Sequence, residues 1–391
     1  MGLGEKAKEA ASQHVRRKAA RDVLNGIGEW RGNRIGTAKR RWVFELIQNA
    51  VDTARERQNR ELAIEINSDG SSVTFRHNGG YFTLDEINAV IYGGSTKPYT
   101  PESEYLGRFG TGLLVTHIVS RRFELRGNIC DQDGIHHFAL DICRDGVDET
   151  AIVGSIDDCY SQLEGATRLE AKSAVYWTEF TYCADASVGS EAIREGIDQL
   201  KANLPSIFAF NDIDRITING ESFRKKIKKG QDCICVIVGK NRLYSRRDLE
   251  HGVQVGVLVE NGKVSALANK PKIFVGMPLI ETSDYVTLPF QINSLKFKPT
   301  KERDALSSDD EGKERNEILL RCSLELYFEL LCSIIKERGL KELFNLVKFR
   351  LIPENKYSQN PLWEQFNSLV LETFGRVIQE SPMVNTPSCA D

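Results

Sequence analysis

The sequence predicts an α+β fold built on a mostly antiparallel sheet. Two short β patterns, Leu62-Ala63-Ile64-Glu65-Ile66 and Val73-Thr74-Phe75-Arg76, are joined by the hairpin signal Asn67-Ser68-Asp69-Gly70. A long helical pattern with an apolar stripe precedes them, and further strand patterns recur before the apolar spacing turns helical again toward the carboxy terminus. The 391 residues, 41% of them hydrophobic, are enough for two or three domains with real cores. A formal charge of -3 gives no global electrostatic case for nucleic acid, although local basic clusters remain. Nine cysteines show no disulfide framework, and Cys233-Ile234-Cys235 reads as two same-face core residues of a strand. Reduced cysteines, an amino terminus without the apolar core of a signal peptide and no apolar run of membrane-spanning length predict a cytoplasmic protein with no membrane partner.

Taken in order, an Ala/Lys/Arg/Glu-rich helix is expected from about Lys6 to Val23 within an amino-terminal segment 1–36. The next helix runs from near Thr37 to about Arg57, with Val43, Leu46, Ile47, Ala50, Val51 and Ala54 as its apolar stripe. After the hairpin, Thr83-Leu84-Asp85-Glu86 opens like an N-capped helix, and 93–104 reads as a mobile loop. Gly107-Arg108-Phe109-Gly110-Thr111-Gly112-Leu113 then leads into a helical pattern reaching Val119. Strands are expected from Arg122 to Asp141 and from Ala174 to Tyr182, and a helix from about Glu191 to Phe208 closes a first domain, 37–210. A second α/β domain, 211–307, draws on the strands at 215–220, 233–238, 253–259 and 272–275, and 308–391 is a helical region with a disordered tail. The basic run from Arg224 to Lys229 reads as an exposed hairpin tip, and His136-His137 lacks a zinc ligand set.

The chemistry gathers on the second helix. Glu45 and Asn49, four residues apart, share one face, where a carboxylate can activate a water and a neutral amide oxygen can hold a hard cation; Asp52 follows on that face. Farther on, the glycines of the 107–113 run allow a close approach of backbone to phosphate oxygens.

In this order, the motifs from Glu45 to Thr178 resemble those of the GHKL ATPases, the superfamily of gyrase B, the ninety-kilodalton heat-shock chaperone, MutL and histidine kinases, and most of all its sacsin-like, chaperone-type branch. The resemblance implies a Bergerat-type ATP-binding α/β sandwich, an α/β transducer-like domain and carboxy-terminal helices. It implies ATP and Mg2+ as ligands, Glu45 as general base, Asn49 as magnesium ligand and Asp52 in the nucleotide site. Arg76-His77-Asn78-Gly79-Gly80 stands where the family has D-x-G-x-G, whose aspartate receives the adenine amino group. His77 replaces that aspartate, as in the sacsin-like variant; a neutral imidazole can accept one hydrogen bond if another partner sets its tautomer. Asn78 and Gly79 complete this nucleotide contact. Gly107, Phe109, Gly110, Thr111, Gly112 and Leu113 match the lid segment, while Ser95 and Lys97 resemble the S-x-K that opens it. Thr178 resembles the pocket threonine of the late strand. In the second domain, the Pro299-Thr300-Lys301 loop resembles that of MutL, with Lys301 first and Arg303 second as the cation meeting the γ-phosphate.

The implied function is a Mg-dependent ATP hydrolase acting as a nucleotide-driven conformational switch, in a chaperone-like or bacterial defence or stress role. A protein client or partner subunit, and a nucleotide-dependent homodimer through the amino-terminal helix, go with it. The alternatives are a nucleotide-sensing interaction module that does not turn over and a DNA-processing ATPase of the MutL or topoisomerase type; DNA as a partner is the less favoured.

Overall fold

The computed structural model describes residues 3–94, 112–170, 177–230, 233–285, 288–300, 303, 305–335, 337 and 339–348. The chain forms two compact units, one of residues 1–201 and 213–222, the other of 202–212 and 223–391. In the first, helices α1 (Leu3–Arg31) and α2 (Ile35–Glu56) lead into strands β1 (Ala63–Ser68) and β2 (Ser72–His77). Helices α3 (Leu84–Tyr92) and α4 (Gly112–Val115) precede strands β3 (Arg122–Asp131) and β4 (Gly134–Cys143). Helix α5 (Glu149–Leu163), strands β5 (Thr167–Leu169) and β6 (Thr178–Cys183), helix α6 (Ala186–Phe210) and strands β7 (Arg215–Ile218) and β8 (Glu221–Arg224) follow, the ends of α6 and β8 belonging to the second unit.

The first sheet has the order β5-β4-β3-β6-β2-β1-β7-β8. From β5 across to β1 the neighbours pair antiparallel, and β1 pairs in parallel with β7, which is the expected α+β class. The 67–70 hairpin is held by Asp69, whose Oδ1 accepts from the backbone N–H of Ser71 and Ser72 at 2.9 and 2.7 Å. At the start of α3, Thr83 and Glu86 form the full capping box, and Gly93 at φ +66 ends the helix in the left-handed conformation that glycine adopts freely.

Two differences from the sequence reading have clear causes. Helix α5 and strand β5 fill a stretch read as neither helix nor strand. Asp148 caps α5 through the Ala151 N–H at 2.9 Å, and Ile152, Ile156 and Cys159 bury a stripe only three residues wide, too thin to stand out as a pattern. The strand at 215–218, grouped by the sequence with those that follow it, belongs to the first sheet. It pairs in parallel with β1, Ile216 and Ile218 meeting Ile64 and Ile66; a partner over a hundred and fifty residues back leaves no local signal.

The second unit holds strands β9 (Lys226–Lys229), β10 (Ile234–Val238), β11 (Asn241–Asp248), β12 (Val253–Glu260), β13 (Lys263–Val264), β14 (Ile273–Val275) and β15 (Met277–Pro278). Helix α7 (Thr282–Tyr285), strand β16 (Gln291–Asn293) and helix α8 (Asp310–Ile335) complete it, with a 3-10 turn at Leu343–Val347. The sheet order is β15-β14-β16-β12-β11-β10-β9, with β13 on β12. Valines 253, 255, 257 and 259 of β12 are buried on one face and Gly256 and Leu258 on the other, so the middle of this strand is covered on both faces, and Leu320, Leu324, Tyr327 and Leu331 of α8 join its core. The basic run divides between β8 and β9. All four residues of β9 are exposed at the sheet edge, where its lysines discourage pairing with another chain. Cys235 is buried on β10 and the eight described cysteines are free thiols. No helix among the described residues is long and apolar enough to cross a membrane.

Candidate nucleotide site

Helix α2 has no side-chain cap at Arg34 and no acidic residue in its first turn, so packing rather than end chemistry stabilises it. It is buried nearly all round: besides the expected apolar stripe, Trp42 and Phe44 are enclosed, and so are Arg41, Glu45, Gln48 and Asp52. Trp42 Nε1 donates to the Ala192 carbonyl at 2.7 Å, and Gly196 of α6 leaves room for the indole. The polar residues 41, 45, 48, 49 and 52 fall on one stripe, at the i, i+4, i+7, i+8, i+11 spacing of a single helix face. Burying such a row costs free energy unless each group finds a partner.

Arg41 supplies one. Its Nε donates to Glu45 Oε1 at 2.6 Å and its terminal amine lies 2.5 Å from the same oxygen, while its guanidinium sits 5.1 Å from the Trp30 ring centroid of α1. Among the described residues Glu45 is therefore fixed through Oε1 alone. Its other oxygen faces Gly112, where an added Cβ would collide with Oε2. Asn49 is half-buried, Asp52 is fully buried, and Gln48 Oε1 is buried with no hydrogen-bond partner among the described residues.

The sheet contributes a second group. Pairing of β2 with both neighbours sets Ile64, His77 and Thr178 side by side across β1, β2 and β6, with His77 and Thr178 4% and 1% exposed. The His77 Nδ1 accepts the backbone N–H of Gly79 at 3.1 Å, and burial pushes its pKa down to about 4, so the ring is neutral near pH 7. Gly79 lies hard against α2: a Cβ there would come within 3.0 Å of the Ala50 carbonyl oxygen and 3.4 Å of the Ala54 nitrogen. The end of β2 thus abuts the helix that carries Glu45 and Asn49. Asn78, expected among the nucleotide contacts, has a side chain bonded to backbone: Oδ1 accepts from Ala63 N–H at 2.7 Å and Nδ2 donates to the Glu61 carbonyl at 3.1 Å. It pins the entry of β1 to the exit of β2.

Of the glycine-rich segment, Gly112 and Leu113 open α4, which lasts four residues before a 3-10 turn at Thr116–Ile118, short of the helix expected to Val119. Tyr182 donates to Thr116 Oγ1 at 3.0 Å and Thr116 Oγ1 to the Leu113 carbonyl at 2.6 Å, which tie this turn to the sheet. Gly26 of α1 makes room for the Leu114 side chain. Ser95, Lys97, Gly107, Phe109, Gly110 and Thr111 lie outside the described residues, as does Lys301. Arg303, in the second unit, is buried at φ +55 and donates to the Val275 carbonyl at 3.3 Å.

The structure therefore gathers Glu45, Asn49, Asp52 and Gly112, and separately aligns His77 with Thr178 at a strand end that touches the same helix. Sequence reasoning passed over Arg41 and Gln48, although both lie on the Glu45 stripe at i−4 and i+3. The signal was the stripe itself, five polar residues long on a helix whose other positions between Arg41 and Asp52 are all apolar.

Comparison with known proteins adds structures only: no protein-family model and no curated protein matches the chain. The ATPase region of Saccharomyces cerevisiae topoisomerase II aligns at 11% identity over 87% of this chain and 85% of that one, with a TM-score of 0.42. The ATPase and transducer domains of DNA topoisomerase II from Balamuthia mandrillaris align at 13% identity over 87% and 86%, with a TM-score of 0.40. The Saccharomyces cerevisiae topoisomerase II ATPase region bound to ICRF-187 (dexrazoxane) aligns at 13% over 55% of this chain and 59% of that chain, with a TM-score of 0.34. At these scores the site is read from this chain's own residues.

Proposed function

We propose that the first unit binds Mg-ATP and hydrolyses it, with Glu45 as general base. One observation carries the reading: a buried carboxylate is clamped through one oxygen by Arg41, and its second oxygen is directed at a glycine that opens the 112–118 turn. A structural ion pair would satisfy both oxygens; this arrangement fixes the carboxylate and leaves one lone pair for the proton of an attacking water. Gly112 keeps the space beside that oxygen clear.

The donor set fits a hard divalent cation, because Asn49 offers a half-exposed neutral oxygen one turn from Glu45, next to the orphaned carbonyl of Gln48. Asn49 would hold Mg2+, which when bound neutralises charge on the phosphates. Thr178 and His77 supply the polar groups for a base at the sheet end. Because Trp30 stacks on Arg41, α1 touches the group that positions Glu45, which suits a switch in which the amino-terminal helix and hydrolysis respond to each other. A chaperone-type or defence role rests on the motif resemblance. The DNA-processing alternative draws on the exposed lysines of β9, which edge protection already explains.

The test is steady-state Mg-ATP hydrolysis by the wild type beside Glu45→Ala and Glu45→Gln, the latter keeping an acceptor for Arg41. Turnover falls by at least about a hundredfold in both, as for loss of a general base, while nucleotide binding persists; Asn49→Ala loses Mg-dependent binding. Equal loss of binding and turnover in Glu45→Gln would sink the base assignment.

A further inference from the structure

Two buried histidines of the first unit carry their protons on opposite nitrogens. His117 Nδ1 lies 3.1 Å from the Ser120 carbonyl oxygen, which can only accept, so that nitrogen is protonated. His77 Nδ1 lies 3.1 Å from the backbone nitrogen of Gly79, which can only donate, so that nitrogen is bare. Both rings are pushed by burial far below the usual histidine range and are neutral near pH 7. A neutral imidazole has one proton, so His77 carries it on Nε2. Among the described residues His77 makes no side-chain hydrogen bond other than the one at Nδ1, so none accepts from that Nε2–H. A donor is left, on a side chain 4% exposed, beside Thr178 and against α2.

We infer that His77 reads a hydrogen-bond acceptor on the nucleobase, so that the pocket takes a 6-oxopurine nucleoside triphosphate at least as well as ATP; this rests on the nucleotide reading of the site given above. Polarity makes the case. The 6-substituent of adenine is an amino group, and a donor set against a donor gains nothing, so adenine can satisfy Nε2–H only through a ring nitrogen. A 6-oxopurine presents an exocyclic oxygen that accepts directly. A carboxylate at position 77 would impose the reverse preference, since it only accepts. Nor can the imidazole change its tautomer freely, because moving the proton to Nδ1 strips the Gly79 N–H of its acceptor, and Gly79 is wedged against the Ala50 carbonyl and Ala54 nitrogen. The Thr178 hydroxyl donates or accepts and sets no preference.

ATP and ITP are the probes, alike in shape and opposite in polarity at the 6 position. Calorimetric titration of the full chain with Mg2+ present gives an ITP dissociation constant equal to or below that for ATP. His77→Asp shifts the ratio toward ATP by about tenfold or more, the usual range for a reversed buried hydrogen bond. Wild-type protein that binds ATP about tenfold or more tighter than ITP overturns the inference while leaving the nucleotide reading intact; protein that binds neither overturns both. A second measurement needs no variant. In protein labelled with 15N-histidine at pH 7, His77 shows a protonated Nε2 and His117 a protonated Nδ1, and a His77 protonated on Nδ1 refutes the proposal.

Discussion

Helices α2 and α8 are of similar length, and each packs into the core of its own unit, yet they treat buried polar groups in opposite ways. Along α8 the wholly buried polar residues among those described are Asn316 and Ser323; the half-buried Glu317 has an enclosed Oε1 with Lys313 Nζ 3.9 Å away. Asn316 donates to the Lys298 and Ser307 carbonyls and accepts from the Lys298 N–H, and Ser323 donates to the Leu320 carbonyl. Each partner is backbone, and the buried apolar residues are Leu319, Leu320, Leu324, Leu326, Tyr327, Leu330, Leu331 and Ile334, with Tyr327 stacked on Phe290 at 3.9 Å. On α2 two charges are paired to each other, one carboxylate oxygen is directed at a glycine and an amide oxygen has no partner. α8 is packed as architecture is packed. A row such as that on α2 is a cost to stability that a binding or catalytic site repays.

Breaking the comparison at its sharpest point means removing Arg41. Arg41→Ala leaves Glu45 buried without its partner, and loss of one member of a buried pair costs about 3–5 kcal/mol. Urea unfolding followed by tryptophan fluorescence measures it, and turnover falls as well because Glu45 is no longer held. A variant with full stability and full turnover would show the pair to be incidental. On the other helix, Leu330→Ala removes a wholly buried side chain and costs about 3 kcal/mol through the cavity it leaves. Turnover per folded molecule stays at the wild-type level, since Leu330 lies in the core of the second unit and Glu45 and Asn49 in the first. Loss of turnover in folded Leu330→Ala would erase the distinction drawn between the helices.

Much of α2 was legible because its information is local. The i, i+4 spacing of Glu45 and Asn49 and the apolar stripe both lie within three turns, and the hairpin and the Thr83 capping box are equally short-range. What escaped depends on partners far away in sequence. That the face bearing Glu45 would be buried requires Trp30 of α1 and the turn at Gly112. That β7 joins the first sheet requires β1, and that the Asn78 side chain bonds backbone requires Glu61 and Ala63 to lie where the hairpin brings them. The tautomer of His77 depends on one backbone N–H two residues on, which no residue-type pattern encodes.

The two buried histidines sharpen the comparison by a smaller effect that isolates the first unit, because neither lies on α8 or its surroundings. Burial lowers His77 to about 4 and His117 to about 3, the latter helped by the nearby guanidinium of Arg144. The unfolded chain takes up these protons near pH 6.5, so between that pH and the folded values it binds more protons than the native state. Stability is then complete above about pH 7 and is lost as pH falls toward 4 and 3. From pH 7 to pH 5 each ring accounts for about 2 kcal/mol. His117→Asn keeps a donor for the Ser120 carbonyl and has nothing to titrate, so unfolding free energies across that window fall by roughly half as much as the two rings together give in the wild type. An unchanged slope in His117→Asn would mean that the ring is not buried neutral in the folded protein.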